Sequence, residues 1–323
     1  MGAYLLRRVL IAIPVLVGIS VAGFVALALT PGDPITLQIN PATLLTMTPA
    51  QIEVIRHSMG LDGPIYLRYL RWLVGLLQGN LGVAVSTGYP VSFEVGARIG
   101  PTLYLMGTAV VLALLIGIPF GVISAVRQYS RLDYALTTFS LTMISTPTFV
   151  LGLIFIFIFG IWLHLLPVSG LSTLGASFSV MDRIGHLIMP ATILGLAYAA
   201  PLMRYTRASM LEVLGSEYVT TARSKGLSAR TVLVRHALRN ALLPIITVLG
   251  LMLPDLIGGA IITEQVFNWP GMGQLAVTAA ERKDPSLMMA VMMLVAIAVV
   301  ASTLIADVAY AVADPRVRLA SGR

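Results

Sequence analysis

The sequence predicts an all-α polytopic membrane protein with six transmembrane helices and both termini on the cytoplasmic side. Three observations carry this expectation. Of 323 residues 57% are hydrophobic and 11% charged, with a mean hydropathy of +0.90, which does not describe a water-soluble surface. Long runs lack Asp, Glu, Lys and Arg altogether, and roughly 20 apolar residues suffice for a helix to cross a hydrocarbon core of about 30 Å. The basic residues, finally, are distributed unevenly between the loops those runs define.

The first span is placed at 9–30, behind Arg7 and Arg8. Ala26-Leu27-Ala28 at its end resembles a signal-peptide cleavage site, but the apolar run exceeds an ordinary h-region, so the segment is expected to remain as a helix. An extracytoplasmic stretch at 31–98 follows. It contains a helix start at Thr48-Pro49-Ala50-Gln51, with Thr as N-cap and Pro in the first turn. A second helix is expected over IYLRYLRWLVGLL, with Arg68 and Arg71 on one face and Leu67, Leu70, Leu73 and Val74 on another. That helix is read either as lying along the membrane surface, anchored by Tyr66, Tyr69 and Trp72, or as capping a cavity.

The second span is placed at 99–126. The run Tyr134 to Met181 has room for two crossings, but LPVSGLSTLGASFS from Leu166 is dense in Pro, Gly and Ser. One span at 134–163 is therefore expected, then a surface segment and a fourth span at 184–205. A cytoplasmic loop at 208–239 separates this from a fifth span at 240–263, and the sixth lies at 285–311. This topology puts fourteen of the 21 Lys and Arg inside and seven outside, the bias that marks the cytoplasmic face. It absorbs a net charge of +7 that would otherwise suggest nucleic acid.

The cytoplasmic loop is rich in helix signals. MLEVL reads as a short apolar helix, Ser216 as N-cap of EYVTTARSK, Gly226 as the stop, and Ser228 as N-cap of ARTVLVRHALRNALL. An amphipathic helix pair studded with Arg suits docking to another protein; adhesion to anionic lipid is the alternative.

The words EYVTTARSKGLS and RHALRNALLP resemble the cytoplasmic loop of permease subunits of ABC importers, in the dipeptide, oligopeptide and nickel branch. The family pattern is E-A-A, three residues, Gly, nine residues, I-x-L-P. With Gly226 on the family glycine, Ala222 and Leu238 also match, whereas Thr220, Thr221, His236 and Arg239 depart from it. The resemblance extends in order along the chain, through YLLRRVL, TPGDP, MGLDGPIYLRYLRWLVGLLQGNLG, RIGPTLYL, STPTFVLG, GGAIITEQVFNWPGMGQL and ADPRVRL, and is to the first permease subunit type.

This resemblance implies the type I ABC importer permease fold in the plasma (inner) membrane of a prokaryote. It also implies a second homologous permease subunit, two ATP-binding subunits and an extracytoplasmic solute-binding protein, with peptides as substrate. The implied ATPase-coupling residues are Glu217, Ala222, Arg223, Lys225, Gly226, Leu227, Arg230 and Arg235. Asp255, Ser145 and Pro147 are expected along the pathway, and Asp33, Asn268, Trp269 and Pro270 where the binding protein docks. Asp255 stands out independently, since a carboxylate near mid-span is costly and usually faces a cavity or a partner; a helix-end contact with water is its alternative.

The chain itself is expected to be non-catalytic and to bind no cofactor, ATP and Mg residing on the partner subunits. No G-x-x-x-x-G-K-[ST] occurs, and Lys225 and Lys283 are the only lysines. With no cysteine, thiol catalysis and Cys-ligated metals are excluded. His57, His164, His186 and His236 are scattered, so no metal site is expected, and Met288, Met289, Met292 and Met293 read as adaptable packing. Nickel or another small solute is the alternative cargo. An ion-coupled secondary transporter, with broken helices and intramembrane ion ligands, is the alternative class.

Overall fold

The computed structural model describes residues 2–29, 46–58 and 62–313. Among these residues the structure is helical with no extended strand. In chain order the helices are α1 (Gly2–Leu29), α2 (Pro49–Ser58), α3 (Ile65–Leu77), α4 (Val91–Val126), α5 (Arg131–Ser145), α6 (Thr148–Phe155), α7 (Val180–Leu214), α8 (Glu217–Ser224), α9 (Arg239–Val266), α10 (Met272–Glu281) and α11 (Pro285–Ala313). π-Helical stretches Ile156–Trp162 and Val232–Leu238 extend α6 and precede α9.

Among the described residues four helices, α1, α4, α7 and α11, are long and apolar enough to cross a membrane, and α5 with α6 and its extension would make a fifth as one bent span. The 28 residues of α9 would reach about 42 Å at 1.5 Å per residue. Only 6% of the apolar window of α1 is buried, so its Val, Leu and Ile face outward, as suits lipid.

The expected single span at 134–163 differs in shape. The chain bends by 104° between Ser145 and Thr148. Thr146 is extended, with ψ 124°, ahead of Pro147, because a proline ring excludes the helical conformation from the residue before it. MLEVL is likewise not a separate helix. With no breaker between Ala208 and Leu214, α7 continues through it to Gly215. The segment 163–179 is irregular, as its Pro, Gly and Ser content suggests.

Caps explain several boundaries. Thr48 and Gln51 form a reciprocal box at the start of α2: the Thr48 amide donates to Gln51 Oε1 at 2.8 Å and the Gln51 amide to Thr48 Oγ1 at 3.4 Å. Ser130 caps α5 and Ser179 caps α7. The expected end of α2 at Gly60, the TPGDP segment and most of the terminal ADPRVRL lie outside the described residues.

The chain divides into two compact units, with boundaries inside α4 and α11 and at Trp269. In the unit built on Gly2–Gly100 and Pro270–Val300, Val91, Val95, Leu275, Leu287 and Val291 form a buried cluster. Asp284 N-caps α11, accepting from the Leu287 amide at 3.1 Å, and its other oxygen accepts from the Ser86 amide at 2.8 Å. Met289 and Met293 are buried, and the Met292 side chain lies over Gly23, a packing role.

In the unit that includes Pro101–Trp269, α7 is the central helix and packs against α9 and α5. It approaches α4 closely at glycines. A Cβ at Gly117 would lie 2.9 Å from the Ala199 carbonyl oxygen, and one at Gly121 2.6 Å from that of Met203. Gly117 and Gly121 form a G-x-x-x-G pair, the spacing that lets helix backbones meet in a membrane.

Candidate functional site

The candidate site is α8 and its surroundings. Gly215 ends α7, and Ser216 turns the chain with an extended backbone (φ −75°, ψ 151°). The expected side-chain cap at Ser216 does not form: its hydroxyl instead donates back to the Val213 carbonyl at 2.6 Å. Helix α8 then buries Val219 and Ala222, three residues apart on one face, against Val232 and the partly buried Val213 and Leu214. Glu217, Arg223 and the C-cap residue Lys225 are exposed. The Asn240 side chain donates to the Tyr218 hydroxyl at 2.9 Å, tying α8 to the start of α9.

Gly226 reverses the chain. Its φ is +75° and a Cβ there would meet nothing within 4 Å, so glycine is required for its left-handed backbone rather than for space. Ser228 caps the next turn, accepting from the Thr231 amide. The segment that follows is helical, as expected, but passes through the π-helical stretch Val232–Leu238, a form common at functional positions. Leu227, Arg230 and Arg235 are exposed.

The expected coupling residues thus divide by exposure. Glu217, Arg223, Lys225, Leu227, Arg230 and Arg235 are exposed, four of them basic and one acidic. Ala222 is buried and fastens α8 to its support.

Below α8, in the same unit, α7 carries an ion pair that sequence reading missed. Arg207 donates through Nε and a terminal nitrogen to the two carboxylate oxygens of Asp133, each at 2.8 Å. Asp133 is buried and also accepts from the Ser124 hydroxyl and, at 2.9 Å, from the Tyr129 amide. Its own amide donates to Ser130 Oγ. One carboxylate therefore joins α4, the turn after it, α5 and α7. Nearby, Ser209 donates to the Ala241 carbonyl at 2.9 Å, and Met210 packs with Ala237 and Ala241.

Ser145 and Pro147 flank the 104° bend and are exposed. The backbone at Asp255 is helical within α9, and its side chain lies outside the described residues, as does Asp33. Asn268 is exposed in a left-handed turn (φ 45°), and Pro270 is half-buried.

Trp269 corrects the expected docking set. It is buried, and its indole Nε1 donates to the Pro101 carbonyl at 3.0 Å. Beside it Glu264, also buried, accepts from the Thr102 hydroxyl at 2.6 Å. A tryptophan after a turn reads as a surface anchor in sequence; only the fold places a hydrogen-bond partner behind it. His186, a further buried polar group, binds the Ser169 carbonyl through Nδ1 at 2.9 Å, and Asp182 accepts from Thr173, pinning the 163–179 segment to α7. No group of three or more His, Asp or Glu among the described residues could hold a metal ion.

The site is thus a short helix, set off by a glycine reversal and mounted on the end of an apolar helix. Family comparison decides the matter: residues 117–319 match the binding-protein-dependent transport system inner membrane component, and residues 1–94 its N-terminal counterpart. The chain belongs to this permease family.

The permease is similar over nearly its whole length to curated relatives. It is 45% identical to the oligopeptide transport system permease protein AppB of Bacillus subtilis, over 98% of this chain and 99% of that protein. It is 35% identical to the dipeptide transport system permease protein DppB of Escherichia coli, over 98% of each. Among solved structures it resembles a chain of the inward-facing MetNI methionine ABC transporter, with a TM-score of 0.56 and 16% identity over 69% of this chain and 97% of that one. That likeness shows the fold. The permease is accordingly an all-α inner-membrane transport subunit of the ABC importer type.

Proposed function

We propose that this permease forms half of the translocation pathway of an ATP-driven importer for dipeptides and oligopeptides. Full-length similarity to the oligopeptide and dipeptide permeases carries the substrate class. In this reading a second homologous permease completes the pathway, an extracytoplasmic solute-binding protein delivers the peptide, and two separate subunits hydrolyse ATP with Mg. This chain acts by conformational change and carries no catalytic group or resident cofactor.

Helix α8 is the coupling helix. Its exposed Glu217, Arg223, Lys225, Leu227, Arg230 and Arg235 meet the ATPase, while Ala222 and Gly226 set its seat and its angle. Because Val219 and Ala222 anchor it and Asn240 ties it to α9, a push on α8 is transmitted to whole helices rather than absorbed in a loop. Ser145, Pro147 and Asp255 are assigned to the pathway, and in this reading the Asp255 carboxylate pairs with a peptide amino terminus. Asp33, Asn268 and Pro270 are assigned to binding-protein docking, with Trp269 holding that turn from beneath.

Affinity purification tests the assembly. A tagged chain should bring down a second permease and ATPase subunits in stoichiometric amounts. Peptide uptake by liposomes containing this chain alone would refute the proposal.

A further inference from the structure

We propose that the permease carries a binding site for the headgroup of an anionic phospholipid where α3 meets the last two turns of α1 and the start of α11. All three segments lie in one compact unit, Gly2–Gly100 with Pro270–Val300. Together with the segment from Asn80 to Gly88 they line an open cleft of about 670 Å³, the size of an ordinary small-ligand pocket.

One wall is apolar, from Phe24 and Leu27 of α1 and Met289 of α11. These belong to helices long and apolar enough to span a membrane, so the wall suits the first carbons of an acyl chain. The other wall is cationic, with Arg68 and Arg71 on α3. Phe24, Tyr69 and Trp72 form a mutually packed aromatic group with centroids 5.5 to 6.2 Å apart, the residue types that gather at headgroup level.

The two arginines are not equivalent. Arg71 donates to Asp62 at 3.2 Å and is half exposed, so its charge is already answered. Arg68 lines the cavity, and its Nε is enclosed with no hydrogen-bond partner among the described residues. A buried donor left unsatisfied is unfavourable and calls for an acceptor. A phosphate diester supplies one together with the charge that Arg68 lacks, and arginine matches phosphate geometry better than lysine. The pairing of one unanswered guanidinium with an apolar wall selects an anionic lipid over a zwitterionic lipid or a soluble anion.

Native mass spectrometry of the full-length chain purified with its partners, titrated with phosphatidylglycerol or phosphatidylcholine, tests the site. The wild type should bind phosphatidylglycerol about fivefold more tightly, the factor one basic residue contributes near an anionic lipid. Arg68→Gln should abolish that preference and Arg68→Lys retain part of it, while Arg127→Gln, outside the cavity, should leave it unchanged. Inorganic phosphate should not compete. Equal retention of both lipids by the wild type, an unaltered preference in Arg68→Gln, or full competition by inorganic phosphate would each overturn the proposal.

Discussion

Arg207 on α7 holds Asp133 at the start of α5 through two parallel hydrogen bonds of 2.8 Å, although 74 residues separate them in sequence. Bidentate guanidinium–carboxylate geometry is stronger and more directional than a single contact. Here it fastens α7, seven residues before its end at Leu214, to the helix leading into the bend at Pro147. In the proposed mechanism, motion of α8 passed to α7 would reach the bend through this pair.

Breaking the pair from one side should be costly. Asp133→Ala leaves Arg207 with nothing to answer it in a partly buried place, a change worth about 3–5 kcal/mol and about 10 °C in the melting midpoint for a chain of this size. Thermal unfolding in detergent measures it. The double variant Asp133→Ala with Arg207→Ala should be no worse than Asp133→Ala, because contacting partners do not contribute additively.

Gly226→Val should uncouple rather than unfold. Its φ of +75° costs an L-residue about 1–2 kcal/mol, and more for a β-branched one, so the turn after α8 would relax and re-aim the exposed face. Complex assembly should survive while peptide uptake falls at least about tenfold, a penalty of roughly 1.4 kcal/mol. Gly226→Asn should keep most activity, since Asn tolerates the left-handed region. Normal uptake and substrate-stimulated ATPase in Gly226→Val would remove the coupling assignment.

Glycines along α4 should separate by contact. Gly121→Ala forces a Cβ to 2.5 Å from Thr206 Cβ, overpacking worth about 1–3 kcal/mol. Gly107→Ala meets nothing within 4 Å and should stabilise by roughly 0.5–1 kcal/mol through reduced backbone entropy. Melting midpoints of the two variants should move in opposite directions.

Asp255→Asn should reduce uptake of peptides with a free amino terminus about fivefold more than that of N-acetylated ones, an interaction on the order of 1 kcal/mol. Competition uptake with free and N-acetylated alanine peptides measures the ratio. An equal effect on both would assign Asp255 to helix structure.

Much of the architecture was legible because its causes are local. Thr48 and Gln51, Ser228 and Gly226 act within four residues of themselves, and their caps and reversal appear where the sequence puts them. The apolar run marks the span at 134–163 but not its shape, because Pro147 constrains Thr146 sterically and bends the chain by 104°. MLEVL, expected as a short helix of its own, is the end of α7, because a helix ends only where something stops it, here Gly215. Asp133 with Arg207 and Glu264 with Thr102 were invisible because nothing in the sequence marks a distant partner. Trp269 was misread for the same reason, its hydrogen bond going to Pro101.

The central claim, that this permease imports peptides by work delivered to α8, is tested most directly in proteoliposomes. The chain, reconstituted with its partner permease, ATPase subunits and solute-binding protein, should accumulate labelled peptide only with ATP and Mg present. The Gly226→Val complex should hydrolyse ATP without accumulating peptide. Accumulation driven by an ion gradient in the absence of ATP, or undiminished in Gly226→Val, would contradict the account.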